Sequence, residues 1–178
     1  GLSLGLALRR AGVPVTVSEA GGYPRHRVCG EFITGLAPAT IARLGLGPLL
    51  AGALEHRSVA WYIGDRAARI QRLPAPALGL SRHALDARLA AAFVAAGGEL
   101  RTRTRVTNLA ARPGRLFTTG RRRARSPWLG LKIHAHGLRL ARGLELHLGE
   151  HAYVGLARIE ANQVNICGLF RRRELGAK

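Results

Sequence analysis

The chain opens with a helix, a glycine, a strand and an acidic residue in succession, and this order restricts the fold more than any other feature. Leu2 to Arg10 places apolar residues on one side and two cations at the end, and Gly12 follows as a helix stop. Residues 13–18 alternate valines with other residues, as a short strand does, and Glu19 ends them. The order is typical of nucleotide-binding α/β folds, although any helix and strand that end in glutamate would match.

The segment after Glu19 narrows this interpretation. Residues 23–30 read Tyr-Pro-Arg-His-Arg-Val-Cys-Gly, and residues 82–89 contain an Arg-x-x-x-Asp-x-x-Leu pattern on a helix that the apolar spacing itself predicts. Together these motifs resemble the geranylgeranyl reductase and aromatic hydroxylase superfamily, the flavoprotein monooxygenase-like FAD-dependent oxidoreductases, whose relatives include the flavin halogenases. The resemblance extends along nearly the whole chain in collinear order.

The resemblance implies FAD as cofactor, with hydride supplied by NAD(P)H or another donor. It places these residues at the cofactor: Gly1, Glu19, Arg27, Cys29, Gly30, Arg82 and Val106. Two of them have plain alternatives, since Cys29 could be a small buried hydrophobe and Arg82 a surface residue of a first helical turn. No catalytic acid or base is identified by the sequence.

The expected fold class is α/β: a partial, doubly wound Rossmann-like FAD-binding domain, followed by an antiparallel substrate-side sheet. We expect the FAD-binding part at residues 1–110, with a hairpin insertion at about 58–73 that turns at Gly64 and Asp65. A junction at 111–126 holds the arginine run, and alternating strands fill 127–178. The strand that begins at Leu100 is expected to reach Val106.

Measured against the superfamily pattern, the chain is expected to be truncated at both ends. The first strand and the first two glycines of the phosphate loop would precede Gly1, and a later Gly-Asp segment would follow Lys178. Glu31 stands where the reductases commonly carry another glycine, which leaves the subgroup and any prenyl substrate open. The chain alone is therefore expected to be inactive.

Composition leaves the meaning of the charge open. The formal net charge is +18, and it is almost wholly due to arginine, since lysine occurs only at Lys132 and Lys178. This charge could reflect a polyanion-binding surface or only a compositional background. Cys29 and Cys167 are expected to stay reduced and separate. The histidines at 134, 136, 147 and 151 are expected to be solvated, with no metal site.

Several functions fit these observations. The favoured one is an FAD-dependent oxidoreductase fragment acting on a small apolar substrate, prenyl or polyketide-like, and a monooxygenase or halogenase of the same fold is the alternative. From another class, the chain could be an arginine-rich nucleic-acid-binding module, which an aromatic content of 5% disfavours, or an inactive truncated product. No stretch is apolar enough for a membrane span, so a cytoplasmic location is expected, and peripheral membrane contact stays open.

Overall fold

A computed structural model describes residues 1–120 and 126–172. The chain divides into two compact units: unit 1 comprises Gly1–His26 and His83–Ala124, and unit 2 comprises Arg27–Arg82 and Arg125–Lys178. Within the described residues the helices are α1 (Leu2–Arg10), α2 (Pro38–Arg43) and α3 (Arg82–Ala95), with a 3-10 helix at Gly47–Leu50. The strands are β1 (Thr16–Ser18), β2 (Phe32–Ile33), β3 (Leu54–Ile63), β4 (Arg66–Gly79), β5 (Glu99–Arg101), β6 (Trp128–His136), β7 (Leu144–Gly149), β8 (Ala152–Ile159) and β9 (Gln163–Arg171).

Unit 1 is a small α/β assembly. Strands β1 and β5 pair in parallel, with Val17 opposite Leu100. Helix α1 has the predicted bounds, and α3 ends before Gly97, whose positive φ of 77° suits a glycine that follows a helix. Phe93 of α3 is fully buried, and the absence of a side chain at Gly98 makes room for its ring. The α/β prediction for this part is confirmed.

Unit 2 contains a seven-stranded mixed sheet in the order β2-β4-β3-β7-β8-β9-β6. Strands β6 to β9 form the predicted antiparallel arrangement, and β8 turns into β9 at Ala161 and Asn162, both with positive φ. The β3-β4 hairpin, expected inside residues 1–110, belongs to this sheet because β3 pairs in parallel with β7. That long-range pairing has no local sequence signal.

Strand β4 is longer than the sequence predicts. Its pairing with β3 turns at Gly64 and Asp65 as expected, but β4 continues through Pro74 and Pro76 to Gly79 instead of ending at residue 73. The register shifts between His56 and Ser58 of the partner strand, so both prolines lie in an irregular stretch without paired partners. A bulge tolerates proline because no ladder hydrogen bond is lost there.

The core of unit 2 combines an apolar cluster with a buried histidine. Val59, Leu144 and Ala157 form the cluster, and partly buried hydrophobic side chains of β2, β3, β4 and β7 pack against it. His56 is also buried, and its Nε2 lies 2.8 Å from the carbonyl oxygen of Arg158, to which it donates. Burial lowers the pKa of His56 below its ordinary value, so the neutral ring is favoured in the fold.

In the part of the chain that the structure describes, no helix is long and apolar enough to cross a membrane. The arginine run that marks the expected junction, residues 121–125, lies outside the described residues.

Candidate functional site

The N-terminus of α1 in unit 1 is the first candidate site. Gly1 is its N-cap residue, no described side chain caps the helix, and its first turn contains no acidic residue. The first N–H groups of a helix have no intrahelical partner, and together with the helix dipole they favour an anion. A Cβ at Gly1 would lie 2.8 Å from Oγ1 of Thr118, so the position is crowded even for alanine.

Glu19 follows β1, and hydrogen bonds fix both its backbone and its carboxylate. Its backbone N–H donates to the carbonyl oxygen of Arg101, and its carbonyl oxygen accepts from the N–H of Thr104, which lies outside the regular β1-β5 register. The carboxylate accepts from the N–H of Gly21 at 2.9 Å and from Nη2 of Arg25 at 2.8 Å. Tyr23 adds a hydroxyl contact at 3.3 Å, so the loop after β1 is organised around this carboxylate.

Gly5 is a residue that the sequence reasoning missed. A Cβ on Gly5 would lie 3.0 Å from the Phe93 ring and 3.2 Å from Cγ2 of Val17. The glycine therefore lets α1 lie close to β1 and α3, which fixes the helix N-terminus relative to the end of β1. The Gly-x-x-x-Gly spacing of residues 1 and 5 is the signal that could have identified it.

Val106 is not on a strand, so this part of the sequence prediction is wrong. Strand β5 ends at Arg101, and Arg103 adopts a left-handed φ of 54°, which turns the chain out of the parallel pairing. Val106 lies beyond that turn in an irregular segment and is 44% exposed. Its role at a cofactor stays a prediction.

Unit 2 carries the second candidate site, where residues 27–31 lie on β6 and β9. Nδ2 of Asn165 donates to the carbonyl oxygen of Cys29 at 3.0 Å. A Cβ on Gly130 would meet Cγ1 of Val28 at 3.0 Å, so the segment lies directly against β6. Gly30 is also confined, since a Cβ there would meet the Phe32 ring at 2.9 Å. The predicted residues Arg27, Cys29 and Gly30 thus share one ordered segment.

Glu31 is the centre of this site. It is buried and has a left-handed φ of 55°, which is uncommon for a residue with a side chain. Its Oε1 accepts from the backbone N–H of Arg82 at 2.7 Å and from Nζ of Lys132. Its Oε2 lies 2.6 Å from Nε2 of His134. The predicted residue Arg82 therefore meets the segment 27–31 through its backbone.

The cluster of Glu31, Lys132 and His134 was missed by sequence reasoning. The Lys132 and His134 side chains are 4% and 13% exposed, so the expectation that His134 is solvated is wrong. The two residues are two positions apart on β6, so their side chains lie on the same face of the strand, and both contact Glu31. One signal was present, because Lys132 is a rare lysine in a chain whose cations are almost all arginine.

No family model matches the sequence, and no curated protein matches it. Solved structures do match. PqsL of Pseudomonas aeruginosa, a probable FAD-dependent monooxygenase, superposes with a TM-score of 0.68 at 13% identity over 96% of this chain. 2-Methyl-3-hydroxypyridine-5-carboxylic acid oxygenase gives 0.78 at 15% identity over 98%, and the flavin-dependent brominase Bmp2 gives 0.67 at 17% identity over 98%.

The fold is that of flavin-dependent monooxygenases and halogenases. The expected α/β fold class with a partial Rossmann-like domain is therefore confirmed. The chain spans 57% of PqsL, 57% of the pyridine oxygenase and 54% of Bmp2, which is about half of the length of each protein.

Proposed function

We propose that this chain is the FAD-binding part, with the adjoining sheet, of a flavin-dependent oxidoreductase of the monooxygenase type. The observation that carries the proposal is that one unit holds both a helix N-terminus that no described side chain caps and a fixed carboxylate after β1, in a fold shared with flavin-dependent enzymes. These groups fit the cofactor, because uncapped helix N–H groups suit a pyrophosphate and a fixed carboxylate suits ribose hydroxyls.

The proposed contacts with the cofactor are those of unit 1. In unit 1, the N–H groups after Gly1 would hold the pyrophosphate and Glu19 would accept from the ribose. In unit 2, Glu31 is held by Lys132 and His134 and fixes the segment of Cys29 and Gly30, whose contact with a flavin stays a prediction. Bound flavin would supply hydride acceptance, with NAD(P)H as donor, and oxygen chemistry, while the protein supplies binding and orientation.

The proposed substrate is a small, largely apolar organic molecule. The structural neighbours support the small size and a ring, but not the apolar character, since PqsL was solved with 2-aminobenzoylacetate and another neighbour is an oxygenase of a pyridine carboxylic acid. Ring-bearing small molecules are thus the substrate class to test first.

Ligand titration of the purified chain tests the cofactor. FAD and ADP should compete for one site, whereas FMN, which lacks the adenosine half, should not displace them. Glu19→Gln should weaken FAD binding about 10-fold to 100-fold, because a hydrogen bond to a charged group contributes about 1.5–3 kcal/mol. The amide oxygen can still accept from the Gly21 N–H, but the ion pair with Arg25 loses its negative partner.

Glu99→Gln is the matched control. Glu99 lies on the neighbouring strand of the same unit and binds Thr16 and Arg101 rather than facing the end of β1. This variant should bind FAD as the unchanged chain does. Equal affinity of FAD and FMN, or equal loss in the two variants, would refute the proposed site.

A further inference from the structure

The two cysteines of the chain meet in unit 2. Cys167 follows Asn165 on the same face of β9, and Asn165 donates to the carbonyl oxygen of Cys29. Lys132, directly opposite Cys167 in the β6-β9 register, binds Glu31, the residue two positions after Cys29. Cys167 is thus flanked by two residues that hold the segment 29–31, and this places Cys29 beside it.

The environments of the two sulfurs agree with this placement. Burial raises the pKa of the Cys167 thiol, and the neighbouring Cys29 sulfur raises it further, whereas Lys132 and a hydrogen bond from the backbone of Cys29 favour its thiolate. The Cys29 sulfur accepts from the N–H of Glu31 at 3.5 Å. Both cysteines are half-buried and free, so a small oxidant can reach them.

We propose that Cys29 and Cys167 are an oxidisable dithiol, which hydrogen peroxide converts into an intramolecular disulfide that ties residues 27–31 to β9. Nothing in this step requires bound flavin, so it is independent of the proposed function. The expectation that the two thiols lie apart is corrected by the contacts around Asn165 and Lys132.

The reaction balances with one peroxide. The Cys29 thiolate attacks one peroxide oxygen, the O–O bond breaks, and hydroxide leaves, so that Cys29 becomes a sulfenic acid. The Cys167 thiolate then attacks that sulfur, the S–S bond forms, the S–O bond breaks, and the second hydroxide leaves. The protons of the two thiols convert both hydroxides to water. Cys29 is assigned the first step because its sulfur accepts from the N–H of Glu31, whereas burial raises the pKa of the Cys167 thiol.

Peptide mapping of the whole chain tests the proposal. The reduced protein is treated with hydrogen peroxide, alkylated and digested without reductant. The expected result is a cross-linked peptide pair containing Cys29 and Cys167, with alkylatable thiols falling from two to none and restored by dithiothreitol. Retention of both thiols, or cross-links only between separate chains, overturns the proposal.

Two variants assign the order of the steps. Cys167→Ser should accumulate a sulfenic acid at Cys29 that dimedone traps, whereas Cys29→Ser should give much less adduct at Cys167. The reverse pattern overturns the assigned order. If either variant does not fold, as circular dichroism would show, the mapping of the unchanged chain still decides whether the disulfide forms.

Discussion

Replacement of Glu31 by glutamine should be among the most damaging single-atom changes in unit 2. The glutamine keeps the size of the side chain and one oxygen acceptor, but it removes the negative charge. The Glu31 side chain is fully buried and that of Lys132 is 4% exposed, so the ammonium group would be left buried without its counter-ion. Removing one partner of a buried ion pair costs about 3–5 kcal/mol.

That cost is large compared with the stability of a domain. At about 1.4 kcal/mol for each factor of ten, it lowers the folding equilibrium constant by about two to three and a half orders of magnitude. With a urea dependence of about 2 kcal/mol/M, the unfolding midpoint should fall by about 1.5–2.5 M. Trp61 and Trp128, the two tryptophans of the chain, both lie in unit 2, so their fluorescence reports the unfolding of this unit.

Two further variants separate the charge effect from a general loss of packing. Adding Lys132→Met to Glu31→Gln removes both charges and should recover most of the lost stability. Glu55→Gln alters an exposed ion pair with Arg57, where the two side chains are 53% and 68% exposed, and should cost at most about 1 kcal/mol. A loss for Glu31→Gln no larger than that of Glu55→Gln would show that the buried pair contributes no more than a surface pair.

Three other predictions concern the packing of each unit. Because the pKa of His56 is lowered in the folded state, the stability that its neutral ring contributes is fully present above the unfolded pKa of 6.5 and is lost as the pH falls. Unit 2 should therefore be less stable at pH 5 than at pH 7 in urea melts. His56→Gln should flatten this dependence. Gly79→Ala should lower the free energy of unfolding by about 1–3 kcal/mol, because the new Cβ would lie 2.3 Å from the Arg158 carbonyl oxygen. In the control variant Gly47→Ala, the new Cβ at this exposed position meets no atom within 4 Å, so its thermal unfolding should match that of the unchanged chain. Phe93→Ala should cost about 3–5 kcal/mol in unit 1, which hydrogen exchange of α3 amides would detect, and unchanged protection would contradict its place in the core.

Local patterns predict much of this fold because the interactions behind them are local. The bounds of α1, the turn at Gly64 and Asp65, and the alternating strands from residue 128 onward were all readable from spacing and turn residues. These features depend on neighbours a few positions apart. The motif at residues 23–30 then indicated a flavoprotein fold, which the structural neighbours share.

The elements that the sequence did not predict depend on backbone irregularities or on partners far along the chain. The end of β5 follows from the left-handed turn at Arg103, and the extension of β4 follows from a bulge opposite Arg57. Glu31 was interpreted as a departure from a glycine pattern because its partners lie a hundred residues later on β6. A single sequence contains no periodicity that joins such positions.

The parallel pairing of β3 with β7 has a consequence for the order in which unit 2 forms. Strands β2, β4 and β3 are complete by Gly79, whereas β8, β9 and β6 pair among themselves later in the chain. Strand β7 is the link between these two halves. During synthesis the edge of β3 that pairs with β7 therefore stays unpaired until Leu144–Gly149 has emerged. The pairing of β3 with β7 is slow because it must close a long loop. The early hairpin needs protection from other chains for that interval.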